Sequence, residues 1–131
     1  MAAWWIRISA IYFIIGMAAG LFMSATLQLQ WGAAHAHINV IGWLSTGLIG
    51  VIYGLYPNAG SSRLGVWHFW SYNIGLPVLL ISMFMIHMEP RFEGWIDFAH
   101  IFTYSGGALV TLGVILFIIN IFKNTSGVQK I

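Results

Sequence analysis

The chain has 131 residues, 60% hydrophobic and only 6% charged, against about 25% charged in an ordinary soluble domain. Five Lys/Arg, three Asp/Glu and five His are too few polar groups to cover a water-facing surface, and an aromatic content of 16% excludes a disordered chain. There is no cysteine, hence no disulfide, thiolate metal site or cysteine nucleophile, and a net charge of +2 offers no footprint for nucleic acid. An integral membrane protein remains, embedded in the lipid bilayer, in which histidine equals Lys and Arg together.

Four apolar runs follow one another, at about residues 4–27, 33–56, 66–88 and 95–122. Each exceeds the roughly 20 residues that a helix needs to cross the hydrocarbon core. Continuous rather than alternating hydrophobicity predicts helices and not a barrel. Between them lie Gln28, Gln30 and Gly32, then Pro57–Ser62, then Glu89–Gly94, all rich in turn formers. The first run is longer than a signal peptide's apolar core, so it is expected to be a helix of the mature protein. The predicted fold is all-α: a single membrane domain, a four-helix antiparallel bundle or arc, with a polar tail over 123–131.

Charge sets the expected orientation. Arg7, Arg63, Lys123 and Lys130 fall on one side and only Arg91 on the other, which places both termini in the cytoplasm; a bacterial inner membrane is expected. Glu89, Glu93 and Asp97 then lie outside. Trp4, Trp5, Trp67 and Trp70 on one side, with Trp31 and Trp95 on the other, fit aromatic belts. Gly16-Met-Ala-Ala-Gly20 and Gly50-Val-Ile-Tyr-Gly54 are candidate close helix contacts. Asn73 and Pro77 predict a kink in the third helix. The methionines, Met83, Met85 and Met88 among them, read as packing. His68, between Trp67 and Trp70, reads as an interfacial anchor or a partner of the Pro57–Arg63 loop.

The other four histidines share one depth near the outer surface. His35 and His37 open the second helix, His87 closes the third, and His100 lies in the second turn of the fourth. Ionisable groups inside a membrane are costly and point to function. His35 and His37 are two residues apart, so about 200° apart around a helix. They cannot hold one ion side by side. Spacing alone leaves two readings: polar helix contacts bonded to Asn39 or nearby carbonyls, or ligands serving a separate site on each side of the helix.

The run Ala34-His35-Ala36-His37-Ile38-Asn39-Val40-Ile41-Gly42-Trp43 resembles the second-helix motif of small stand-alone relatives of the haem–copper oxidase catalytic subunit. Gly50 to Pro57, Trp67 to Pro77 and Gly16 to Ser24 are similar to the same set, so the resemblance covers most of the chain. It implies a fold and a cofactor. The large subunit holds twelve helices as three arcs of four, and one helix carries a His-x-His pair whose imidazoles ligate haems in two neighbouring compartments. A four-helix chain with His-x-His resembles one arc, and three copies would rebuild the ring. The resemblance therefore implies a homotrimer, with haem b held between His37 of one chain and His35 of its neighbour or the reverse, and a respiratory-chain redox partner.

The departures limit the expected chemistry. The third helix has no His-His pair for copper, no carboxylate suggests a proton channel through the membrane, and ligation by two histidines leaves no open iron position for oxygen. A haem protein for electron transfer, haem handling or gas sensing is expected, not an oxygen-reducing pump; an oxidoreductase role stays open. Two alternatives accompany it. One is an outer copper or zinc site built from His35, His37, His87 and His100, with Asp97 orienting His100 and Glu89 and Glu93 nearby. The other is a structural subunit of a respiratory complex.

Overall fold

The computed structural model describes residues 1–125. They form α1 (Ala2–Thr26), α2 (Leu29–Leu55), a short α3 (Pro57–Ser61), α4 (Arg63–Ile86) and α5 (Trp95–Asn124). No strand occurs among the described residues. The four long helices have 25, 27, 24 and 30 residues, and each is long and apolar enough to cross a membrane. Lys123 and Asn124, expected to open the polar tail, instead complete the last turn of α5, while 126–131 lie outside the described residues.

Side chains on these helices are apolar nearly all round, as befits elements surrounded by lipid and by one another. Ile14, Leu21, Leu48, Ile101 and Phe122 point outward, while Trp5, Ile38, Tyr53, Tyr72 and Leu76 form the core.

Two close pairs of helices build the fold: α1 along α2, and α4 along α5. Both glycine pairs flagged in the sequence lie in the first seam. A Cβ on Gly16 would stand 2.6 Å from Asn39 Oδ1, and one on Gly20 would stand 3.0 Å from His35 Cε1. Gly50 faces Trp5 and Ile6 in the same way, and Gly54 faces Ala2 more loosely. The second seam is tighter and the sequence patterns did not single it out. Gly75 of α4 faces Gly106 of α5, and Gly113 lies against Tyr72.

The connections differ from expectation in one place. The segment after α2 is rich in breakers, yet Pro57–Ser61 is helical. Proline at the first helical position needs no amide hydrogen and already has the right φ, so it starts this turn. Ser62 then caps α4, its Oγ accepting from the Gly65 amide at 3.0 Å. At the other end Gly94 adopts φ 82°, a left-handed turn that suits a residue without a side chain. Asp97 sits in the first turn of α5, where a negative charge is favourable. Helix α4 runs without interruption through Pro77.

The α4–α5 seam gives a direct test. A Cβ on Gly106 would lie 2.5 Å from Leu79 N and 2.9 Å from Gly75 O, both main-chain atoms, whereas Gly107 has nothing within 4 Å. Gly106→Ala should destabilise the protein by about 1–3 kcal/mol, read as an earlier thermal unfolding transition in detergent, while Gly107→Ala should leave the transition unmoved or slightly raised.

Candidate functional site

The histidine-bearing end of α2 is assembled from three local geometries. Leu29–Trp31 is a 3-10 turn, Gly32–His37 is α-helical, and Ile38–Ser45 is π-helical before the α pattern resumes at Thr46. Trp31 stacks on Phe22 of α1 and meets Phe84 of α4 edge-on. Ala34 and Ile38 are buried. These contacts hold the start of α2 between its neighbours.

His35 and His37 point to different sides of the helix. His35 is half-buried and turns to α1, with its ring against Gly20. The Asn39 amide donates to the His35 carbonyl at 2.9 Å and lies 3.3 Å from His35 Nδ1. The contact with Asn39 expected from spacing is therefore present for His35. His37 is also half-buried, and its Nδ1 lies 2.8 Å from Ala33 O. A carbonyl can only accept, so Nδ1 carries the hydrogen and Nε2 keeps its lone pair. Among the described residues Nε2 has no partner. A depression of about 240 Å³ beside it is lined by Ala36, His37, Val40 and Ile41. A ring fixed through one nitrogen to a carbonyl, with the other nitrogen open, is the usual arrangement of a metal-ligating histidine.

The remaining outer histidines do not join them. His87 caps the exposed end of α4. His100 is half-buried, and its ring stacks on Tyr104 with centroids 5.9 Å apart. Among the described residues no three His, Asp or Glu side chains come together as a group that could hold a metal ion. His35, His37, His87 and His100 thus do not form a single metal cage within the chain.

His68 corrects its reading as an interfacial anchor. It is 0% exposed and sits in a cluster drawn from all four long helices. Trp5 of α1 stacks on it at 4.7 Å, and Phe117 of α5 lies 5.1 Å away. Asn120 Nδ2 donates to Tyr53 OH at 3.1 Å, and Tyr53 OH lies 2.8 Å from His68 Nδ1, within hydrogen-bond distance. The Pro57–Arg63 segment is held by Asn120 and not by His68. Asn120 Nδ2 also donates to Ala59 O at 2.9 Å, and its Oδ1 accepts from Ser62 Oγ at 2.8 Å and Asn124 Nδ2 at 2.7 Å. Trp5, expected in an aromatic belt, is likewise fully buried, whereas Trp4, Trp67 and Trp70 are exposed. Tyr53 and Asn120 were the signals for this cluster, as polar groups inside otherwise apolar helices.

Compared with family models, with curated proteins and with solved structures, the chain matches none.

Asn120 uses both amide hydrogens and both lone-pair directions of its oxygen. Its truncation would remove its bonds to Tyr53, Ala59 and Ser62 at once, each worth about 0.5–1.5 kcal/mol, although Tyr53 keeps His68 and Ser62 keeps the Ala59 carbonyl. Asn120→Ala should therefore lower the thermal unfolding midpoint in detergent more than Tyr53→Phe, which leaves Asn120 bonded to Ala59 and Ser62.

Proposed function

We propose that the chain is a haem b-binding integral membrane protein for one-electron transfer, with His35 and His37 as the ligands it contributes. The reading starts from the likeness of the His35–Trp43 run to the haem–copper oxidase motif. The observation that carries it further is the state of His37: Nδ1–H is engaged by Ala33 O at 2.8 Å, Nε2 is open, and an apolar depression lies beside it. Those residues would suit a haem: His37 would supply the imidazole, and Ala36, Val40 and Ile41 would supply apolar contact. His35 faces the α1–α2 seam on another side of the helix, its ring against Gly20 and Asn39; the resemblance makes it the ligand to a second group.

Each residue has a stated task in this reading. His37 would offer its Nε2 to the iron, and the Ala33 carbonyl, accepting from Nδ1, fixes the ring's direction. Asn39 restrains His35 through its carbonyl. Ala36, Val40 and Ile41 give the site an apolar lining, and a low-dielectric surrounding of this kind would shift a redox potential. Haem, when bound, supplies the one-electron couple. Two imidazoles on different sides of one helix each need a partner ligand from elsewhere, which supports a cyclic homo-oligomer, with three copies as the arrangement suggested by the arc.

Orientation belongs to the same proposal. Trp5 and His68 near the starts of α1 and α4 meet Tyr53 and Asn120 near the ends of α2 and α5, which supports helices alternating in direction. The bias of Arg7, Arg63, Lys123 and Lys130 supports termini in the cytoplasm, with the histidine pair toward the outer face of a bacterial inner membrane. A respiratory-chain component on that face would be the redox partner.

An absorption spectrum tests the reading. The purified protein should be red, with a Soret band that moves on reduction by dithionite. His37→Ala and His35→Ala should each remove or alter that band, while His100→Ala should not. A protein that stays colourless after haem supplementation would refute the assignment. Native mass spectrometry should give three chains; a monomer carrying full haem would refute the shared site.

A further inference from the structure

We propose that Ser9 of α1 and Tyr72 of α4 are positioning residues for the histidine pair, because their hydroxyls hold open the π-helical segment Ile38–Ser45 and thereby set the rotation of the His35–His37 end about the axis of α2. The clause about haem rests on the function proposed above; the clause about the π-segment does not.

An eight-residue π-helix is unusual, since such turns mostly occur singly inside α-helices and frequently at functional sites. Widening the turn tilts carbonyl oxygens away from their ordinary i+4 partners. In a π-turn they bond the i+5 amide instead, and each oxygen keeps a second lone pair for a hydroxyl. Here four consecutive carbonyls each receive a hydroxyl. Ser45 Oγ donates to Val40 O at 2.8 Å, five residues back. Tyr72 OH donates to Ile41 O at 3.0 Å. Thr46 Oγ1 donates to Gly42 O. Ser9 Oγ donates to Trp43 O at 2.9 Å.

Two of these donors lie on α2 itself and two come from different neighbours. Ser45 and Thr46 would travel with the helix if it rewound, whereas Ser9 and Tyr72 are fixed to α1 and α4. Both are buried, and Tyr72 is braced edge-on against Trp5 at 5.6 Å. The approach of α1 is made possible by Gly42 and Gly47, where a Cβ would lie 2.8 Å from the Tyr12 ring and 2.9 Å from Ser9 Oγ. Those two helices therefore grip the widened segment from outside.

The segment begins directly after His37. Closing one π-turn to an α-turn leaves one residue in excess, which turns everything before it by about 100°. His37 would leave the depression lined by Val40 and Ile41, and His35 would leave Gly20. The hydroxyls of Ser9 and Tyr72 hold the alternative away by binding carbonyls that the α form would take back.

The full chain in detergent, loaded with haem, provides the test. Ser9→Ala, Tyr72→Phe and the double variant are compared with the parent by hydrogen–deuterium exchange at the amides of 45–48 and by electron paramagnetic resonance of the oxidised haem. Loss of two hydrogen bonds should speed exchange in the double variant roughly tenfold, and the low-spin g-values should move as the imidazoles turn. Ser9→Thr, which keeps the hydroxyl, should restore both readings to those of the parent. Parent-like exchange in the double variant would overturn the clamp. Raised exchange with unchanged g-values would leave the two hydroxyls a merely structural role and overturn positioning. A parent that takes up no haem refutes the proposed function, and the positioning role with it, while exchange still decides whether the clamp exists.

Discussion

Inside a bilayer a polar group must find its partner within the protein, because no water competes for it or replaces it. Two clusters of this chain are built around that demand. Near the ends of α2 and α5, Asn120 satisfies Tyr53, Ala59 and Ser62 and so ties α2, α3, α4 and α5 together. Halfway along α2, four hydroxyls satisfy four carbonyls, and two of them, from Ser9 and Tyr72, tie α2 to α1 and α4. Lipid offers no hydrophobic drive to bring helices together, so packing and hydrogen bonds have to do it. The glycine seams supply the packing. Gly16 and Gly20 admit Asn39 and His35, and Gly75 and Gly106 admit one another's main chain.

The histidine pair depends on both devices. His35 can lie against α1 because Gly20 has no side chain to block it. The His37 ring is fixed on the helix through Ala33, one turn earlier on the same helix. One imidazole is thus positioned by tertiary contact and the other by local geometry. A change in the α1–α2 seam would therefore act on the two rings unequally.

Much of this was legible in the sequence, for identifiable reasons. Four continuous apolar runs predict four helices because length and hydrophobicity alone decide membrane crossing, and the observed ends fall within a few residues of the expected ones. The opposed directions of His35 and His37 follow from a helical repeat applied over two residues, too short a stretch for the π-segment to disturb. Other features were hidden. Trp4 and Trp5 are adjacent and chemically identical, yet one faces out and the other forms the core. A helix that is apolar all round carries no pattern that tells the two apart. His68 reads the same whether it faces lipid or the interior, and only the three-dimensional meeting of Tyr53 and Asn120 decides. The π-segment leaves no mark in the periodicity. Its hydroxyls come from three helices, so no local stretch of sequence holds the whole signal. Pro57 misleads in the other direction, since the residue that ends α2 also begins α3.

The buried cluster around His68 also has a place in time. Helices enter a membrane in the order in which they are made, the N-terminal ones first. Trp5, Tyr53 and His68 arrive on the first three long helices, while Asn120 lies near the end of the last. Until α5 is in place, the Ala59 carbonyl and the Ser62 hydroxyl lack the amide that binds them, and Tyr53 lacks one of its two partners. The amide that completes the network is thus delivered after the three earlier long helices. Asn120 acts as the latch of assembly: before it arrives Tyr53 and His68 already join α2 to α4 at this end, and its amide then ties α5 and the Ala59–Ser62 segment to them.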